Sequence, residues 1–117
     1  MADSLADLQG TLDAFIEERS WAQFHTPKNL AMSVAIEAAE IMEHFQWCTG
    51  EESYSLPPEK RAEVANEIGD VLVYLLQLGR VLDIDIIAAA RDKISINREK
   101  YPVEKAKGRA VKYVDLD

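Results

Sequence analysis

Sulfur and imidazole ligands are scarce in this chain of 117 residues. It has one cysteine, Cys48, and two histidines, so it can form neither an internal disulfide nor a zinc cluster of cysteine and histidine ligands. A lone cysteine is typical of a reducing compartment, and we expect the cytoplasm. No apolar run approaches the ~20 residues that span a bilayer. The N-terminal residues lack a basic region followed by an apolar run, so we expect no secretory signal.

Positive charge is also in short supply. Thirteen Lys and Arg residues against 21 Asp and Glu residues give a net charge of −8, which argues against nucleic acid or an anionic membrane as a partner. An anionic small molecule stays open as a ligand, because a bound metal ion inverts the local field. Hydrophobic residues make up 48% of the chain, which excludes general disorder. The length suits one domain, which we place at 1–117 with a core of about 5–101 and a C-terminal tail of 102–117.

The apolar periodicity predicts an all-α fold of four helices. In the first segment, apolar residues recur at steps of three and four and predict an amphipathic helix over 3–20. Thr26 followed by Pro27 is typical of an N-cap with proline at the first helical position. Asp85 is a candidate N-cap for the last helix. The predicted elements after the first are a helix over 27–47, a polar loop over 49–56, a helix from 57–59 to 82, a helix from 85 to 100 and a polar tail.

The third predicted helix is apolar around nearly its whole circumference. Such a helix has to be buried on every side, and three other helices in so short a chain can hardly enclose it. We therefore expect a four-helix bundle that packs this helix against its copy in a homo-oligomer. The alternative is an isolated bundle with one unusually apolar helix. The apolar positions are Ile68, Val71, Leu72, Val73, Leu75, Leu76, Leu78, Val81 and Leu82.

Two carboxylate pairs, Glu37 with Glu40 and Glu67 with Asp70, are spaced i, i+3 inside these apolar helices. The spacing puts both carboxylates of a pair on one side of a helix, and antiparallel packing of the second and third helices would let the pairs face each other. Glu37 falls within the apolar stripe, where an unpaired carboxylate is very costly. An all-oxygen ligand set suits Mg²⁺ or Mn²⁺, a phosphate-bearing substrate and metal-assisted hydrolysis. The alternative is a set of solvated or structural acids.

Other polar and aromatic residues suit a nucleotide. Lys93 and Asn97 share one face of the fourth helix, where a cation and an amide can hold phosphate oxygens; an ordinary solvated face is the alternative. Aromatic side chains near the two ends of the second helix can stack on a base, although each alone suits core packing. The candidates for the base and sugar pocket are Trp21, Phe24, His25 and Trp47, with Asn29 near Glu40 and Tyr74 in the sector of Glu67 and Asp70.

The residues around these acids resemble the MazG-like, all-α nucleoside triphosphate pyrophosphohydrolases, and in particular their dCTP pyrophosphatase branch. The resemblance covers roughly residues 5–113. The stretches that carry it are Glu37-x-x-Glu40 with Glu67-x-x-Asp70, WAQFHTPKNL at 21–30, FQW at 45–47, EIGDVLVYL at 67–75, KISINREKYP at 93–102 and Lys112-Tyr113.

The resemblance implies a helical bundle that works as a homo-oligomer, a tetramer built from dimers or a simple dimer. It implies hydrolysis of a (deoxy)nucleoside triphosphate, dCTP or a modified dCTP, to the monophosphate and pyrophosphate, as nucleotide-pool cleaning. The four acids would hold Mg²⁺, and Glu37 or Glu40 would orient the attacking water. Trp21 to His25, Trp47 and Tyr74 would form the base and sugar pocket, and Lys93 and Asn97 would face the phosphates. A broad-specificity triphosphate pyrophosphohydrolase and a non-catalytic helical dimerisation module stay as alternatives.

Overall fold

The computed structural model describes residues 4–117, and within that range it contains helices and turns but no strand. The all-α class is therefore confirmed. No helix of the described chain is long and apolar enough to cross a membrane. The predicted start of the first helix at residue 3 lies outside the described residues. The elements are α1 (Leu5–Glu18), α2 (Pro27–Glu43), α3 (Pro58–Val81), α4 (Ile86–Lys100) and α5 (Val103–Ala106), with 3₁₀ turns at Ala22–Phe24, Glu52–Tyr54 and Tyr113–Asp115.

Side-chain caps fix where the helices begin. The Thr26 hydroxyl accepts a hydrogen bond from the Asn29 N–H at 3.1 Å, and Pro27 occupies the first helical position of α2. The Asp85 carboxylate accepts from the Ala88 N–H at 3.0 Å at the start of α4. Each bond satisfies a backbone donor that has no partner within its own helix. Both predicted starts are therefore confirmed.

The end of α2 differs from the prediction. The helix ends at Glu43, one turn before the predicted Trp47. The His44 N–H bonds to the Ile41 carbonyl at 3.1 Å and the next N–H bonds three residues back at 2.9 Å, so the chain tightens into 3₁₀-type turns. A capping box then closes the loop, because Thr49 and Glu52 each accept from the other's backbone N–H, at 3.1 and 2.9 Å.

The helices form two compact units, one ending at Asp83 and one beginning at Ile84. In the first, α2 packs against α3. Its most deeply buried apolar side chains are Leu12, Leu30, Val64 and Leu76. The expectation of a single domain over 1–117 stays a prediction.

In the second unit the C-terminal segment is tied to the end of α4. The Tyr113 N–H donates to the Tyr101 hydroxyl at 3.1 Å, and the two rings meet edge to face. The Lys100 ammonium lies 4.5 Å from the centroid of the Tyr113 ring, a cation–π contact. The predicted polar tail therefore folds back onto the end of α4.

Burial around α3 is one-sided within a single chain. Val64 and Leu76 are buried, whereas Ile68 is 55% exposed and both Leu72 and Leu75 are exposed. The expectation that this helix is buried on every side is thus not met by one copy of the chain alone.

Candidate active site

The two carboxylate pairs meet between α2 and α3. One oxygen each from Glu37, Glu67 and Asp70 lies within 4.8 Å of the other two. About two turns after Glu37, just past the end of α2, His44 lies 3.7 Å from a Glu63 oxygen and 3.8 Å from a Glu67 oxygen. Contacts therefore move backward along α3 as they move forward along α2, which makes the two helices antiparallel.

Glu40 lies beside these acids, since its interaction is the largest cause of the raised pKa of both Glu37 and Glu67. The hydrogen bond with Glu40, burial, and then the negative charges of its neighbours raise the pKa of Glu37 to about 7. The same hydrogen bond to Glu40, burial and nearby charge raise the pKa of Glu67, and a hydrogen bond from His44 opposes that rise. Carboxylates that raise one another's pKa in this way form, within the described chain, a cluster with no positive charge to balance it.

The cluster fits a divalent cation. The Oε2 atoms of Glu37 and Glu67 are buried and have no hydrogen-bond partner among the residues the structure describes. Native proteins pair nearly all buried polar atoms, so these oxygens need a ligand. An all-carboxylate donor set is the set that Mg²⁺ and Mn²⁺ prefer.

A cavity of about 380 Å³ opens beside the acids. Asp70 and Tyr74 line it from α3, and Trp21 and His25 line it from the segment that precedes α2. The Trp21 indole packs edge to face on Phe15, with ring centroids 5.6 Å apart. Three of the aromatic candidates therefore gather around one of the predicted metal ligands.

Three other candidates do not line this cavity within the described chain. The Phe24 and Trp47 side chains are 61% and 89% exposed. The Asn29 amide donates to the Phe24 carbonyl at 3.3 Å, so it also holds the turn before α2.

Lys93 and Asn97 lie about one turn apart on α4, in the second compact unit, and both are exposed. Residues four apart share a helix face, as expected from the sequence. Their contact with substrate phosphates stays a prediction.

Sequence reasoning missed two residues near the acids. His44 contacts Glu67, and its signal was its position four residues after Glu40 and seven after Glu37. Gln77 lines the cavity and is only 7% exposed. Its signal was a polar residue inside the apolar run of α3, seven residues after Asp70.

Comparison with known proteins places this chain in a family. The family model described as MazG-like matches residues 32–116. The chain belongs to the MazG-like family. This MazG-like chain is 38% identical over 115 residues to dCTP pyrophosphatase 1 of Mus musculus, and the alignment covers 97% of the chain and 68% of that protein. Identity to dCTP pyrophosphatase 1 of Homo sapiens is 37% over 117 residues, with the same coverage.

A solved structure also resembles the MazG-like chain. The crystal structure of a pyrophosphatase from Archaeoglobus fulgidus DSM 4304 matches it with a TM-score of 0.81 and 41% sequence identity, covering 87% of this chain and 95% of that one. The family resemblance drawn from the sequence stretches is thus confirmed.

Proposed function

We propose that this MazG-like protein hydrolyses dCTP or a modified dCTP to the monophosphate and pyrophosphate, as cytoplasmic nucleotide-pool cleaning. The observation that carries the proposal is the convergence of Glu37, Glu67 and Asp70 within 4.8 Å, at the edge of a cavity that Asp70 also lines. Similarity to dCTP pyrophosphatase 1 over 97% of the chain supports the same substrate class.

In this proposal Glu37, Glu40, Glu67 and Asp70 would hold Mg²⁺, and Mn²⁺ would suit the same ligands. When bound, the ion would supply Lewis-acid polarisation of phosphoryl oxygens and a more acidic water. Glu37 or Glu40 would orient the attacking water. His44, 3.8 Å from a Glu67 oxygen, would hold that carboxylate in place.

The cavity would take the base and sugar. Trp21 and Tyr74 would offer aromatic faces for stacking, and His25 a polar edge. We propose that Phe24, Asn29 and Trp47 complete the pocket, and that Lys93 and Asn97 contact the phosphates through charge-assisted hydrogen bonds.

We propose that the working form is a homo-oligomer, a tetramer built from dimers or else a dimer. Large apolar side chains of α2 and α3 stay exposed on a single chain, and contiguous exposed apolar surface marks an interaction site. Met32, Ile36, Met42 and Ile68 are each more than half exposed, and Leu72 and Leu75 are also exposed.

A nucleotide panel tests the proposal. Purified protein with Mg²⁺ is given each of the common deoxynucleoside and ribonucleoside triphosphates, with EDTA as the control, and the products are identified. We expect dCMP and pyrophosphate from dCTP at the highest kcat/KM. Comparable pyrophosphate release from every triphosphate would instead favour broad specificity. Release of orthophosphate would contradict the proposed reaction, and no turnover at all would favour the dimerisation module.

A further inference from the structure

A buried amide without a partner faces the cavity beside the acids. Gln77 is 7% exposed, and its Oε1 has no hydrogen-bond partner in the described part of the chain. Buried amide oxygens in native proteins are nearly always paired. A ligand that enters the cavity can supply the missing partner.

The position of Gln77 matches one end of a nucleotide. Asp70, Tyr74 and Gln77 follow one another along the same face of α3, and all three line the cavity. With a rise of 1.5 Å per residue, Asp70 and Gln77 are separated by ~10 Å along the helix axis. That is roughly the reach of a deoxynucleoside from its α-phosphate to the far edge of its base.

Part of the polar surroundings of Gln77 is already paired. A second cavity, of about 370 Å³, shares Gln77 and His25 with the first. In it Arg80 bonds to one carboxylate oxygen of Asp13, and the Gln9 amide donates to the other at 3.0 Å. Much of the first cavity's lining is apolar, including Leu8, Leu12, Phe15 and Val73. A polar amide in a largely apolar pocket is suited to fix the orientation of a ligand through a directional hydrogen bond.

We propose that Gln77 is a substrate-binding residue that pairs with the hydrogen-bonding edge of the base; this rests on the proposed function. The amide offers an acceptor, Oε1, next to the donor Nε2. Cytosine presents its exocyclic amino group next to the N3 acceptor, so both atoms of the amide pair. Uracil and thymine carry a carbonyl oxygen next to an N3–H donor, and the same amide pairs with them after it turns by 180°.

The test removes a hydrogen-bonding group from the base in one arm and the amide of Gln77 in the other. The substrates are dCTP, dUTP and the dCTP analogue whose base is 2-pyrimidinone, which is cytosine with the amino group replaced by hydrogen. The variant is Gln77→Met, which keeps the side-chain length and removes both polar atoms. In the wild type we expect kcat/KM to fall by about tenfold or more on loss of the amino group, because a site built to bond a polar group rejects its absence. In Gln77→Met, dCTP and the 2-pyrimidinone analogue should become nearly equal, mainly through a lower kcat/KM for dCTP, and dUTP should lose a similar factor.

Controls separate recognition from folding. Gln9→Leu changes a glutamine of α1 that lines neither cavity, and it should keep the wild-type preference. Circular dichroism shows whether Gln77→Met folds, and Gln77→Leu serves if it does not. Unchanged discrimination in a folded Gln77 variant, or an equal loss for all three substrates, would overturn the proposal.

A binding experiment tests the role of Gln77 independently of the proposed hydrolysis. Calorimetry compares dCMP with dUMP and with the 2-pyrimidinone monophosphate, and it needs no turnover. We expect the wild type to bind dCMP about tenfold more tightly than the 2-pyrimidinone monophosphate, and Gln77→Met to bind these two alike. If the wild type releases pyrophosphate from no nucleotide, the proposed function fails, and this binding comparison still decides the role of Gln77. Equal wild-type affinities for the three monophosphates would overturn that role.

Discussion

Glu37 links the stability of the folded chain to its chemistry. It lies on the inward face of α2, where Leu30 is almost fully buried and Ile41 is half-buried. Its Oε2 is buried without a hydrogen-bond partner in the described chain. The hydrogen bond with Glu40, burial and then repulsion from the other acids raise the pKa of Glu37 to about 7, so the metal-free cluster holds a proton that bound metal would displace.

The raised pKa of Glu37 predicts an unusual pH dependence of stability. The folded state keeps a proton on this carboxyl up to about pH 7, whereas the unfolded chain releases it near 4.5. Where the folded state binds more protons, the free energy of unfolding falls as pH rises. We therefore expect the urea midpoint of the metal-free protein to fall between pH 5 and pH 7.5.

Two comparisons check the source of that pH dependence. Glu37→Gln should show a shallower slope, because it removes the titrating group, and added Mg²⁺ should raise the midpoint most at the upper pH. A wild-type midpoint that stays constant or rises from pH 5 to pH 7.5 in EDTA would contradict the account.

The carboxylates could be chosen from the sequence because their spacing and apolar neighbours restrict the options. Spacing of i, i+3 inside an apolar helix put Glu37 and Glu40 on one side of that helix, and an antiparallel hairpin brought Glu67 within reach. His44 and Gln77 could not be chosen in this way, since each became informative only through contacts across helices. A histidine near a helix end and a glutamine in an apolar run are common without any function.

At the scale of elements, α2 sets the position of two acids and depends on its first turn. The Thr26 hydroxyl accepts from the Asn29 N–H at 3.1 Å, one of the donors that the helix itself leaves unpaired. We expect Thr26→Ala to lower the free energy of unfolding by about 1 kcal/mol, as measured by urea denaturation. Thr26→Ser keeps the hydroxyl and should stay close to the wild type. Equal losses in the two variants would show that the cap bond is not the cause.

Helix starts were easier to predict than helix ends. Thr26-Pro27 and Asp85 carry the side-chain chemistry of a cap within a few residues. The end of α2 at Glu43 has no such signal, because Phe45 and Trp47 continue the apolar pattern while the backbone has already turned. The Trp47 ring is exposed although it continues the apolar pattern of α2. Beyond the end of a helix, that pattern therefore no longer predicts which side chains are buried.

At the scale of the molecule, exposed apolar surface predicts self-association. Ile68 is 55% exposed at the centre of α3, and we expect a charge there to disrupt packing between copies. Ile68→Glu should lower the molar mass measured by light scattering towards that of a single chain. Asn66→Glu adds the same charge on the same helix, about 200° around its axis, and should leave the mass unchanged. A wild type that is already monomeric, or an Ile68→Glu variant with the wild-type mass, would contradict the proposed oligomer.

The overall class could be predicted because period 3.6 patterning dominates the chain, but the assembly could not. The apolar circumference of α3 predicted a partner without saying which surface it covers. The same limit applies to Lys93 and Asn97, whose shared face on α4 follows from spacing while their position relative to the acids does not.

The central claim is that the acids of α2 and α3 hold the metal ion used in turnover. The most direct measurement is pyrophosphate release from dCTP at saturating Mg²⁺ by the wild type, Glu37→Gln and Asp70→Asn, with Glu59→Gln in the first turn of α3 as the matched control. We expect the wild type and the control to turn over and the two cluster variants to lose nearly all activity while keeping the helical content of the wild type. Wild-type rates in both folded cluster variants would contradict the account.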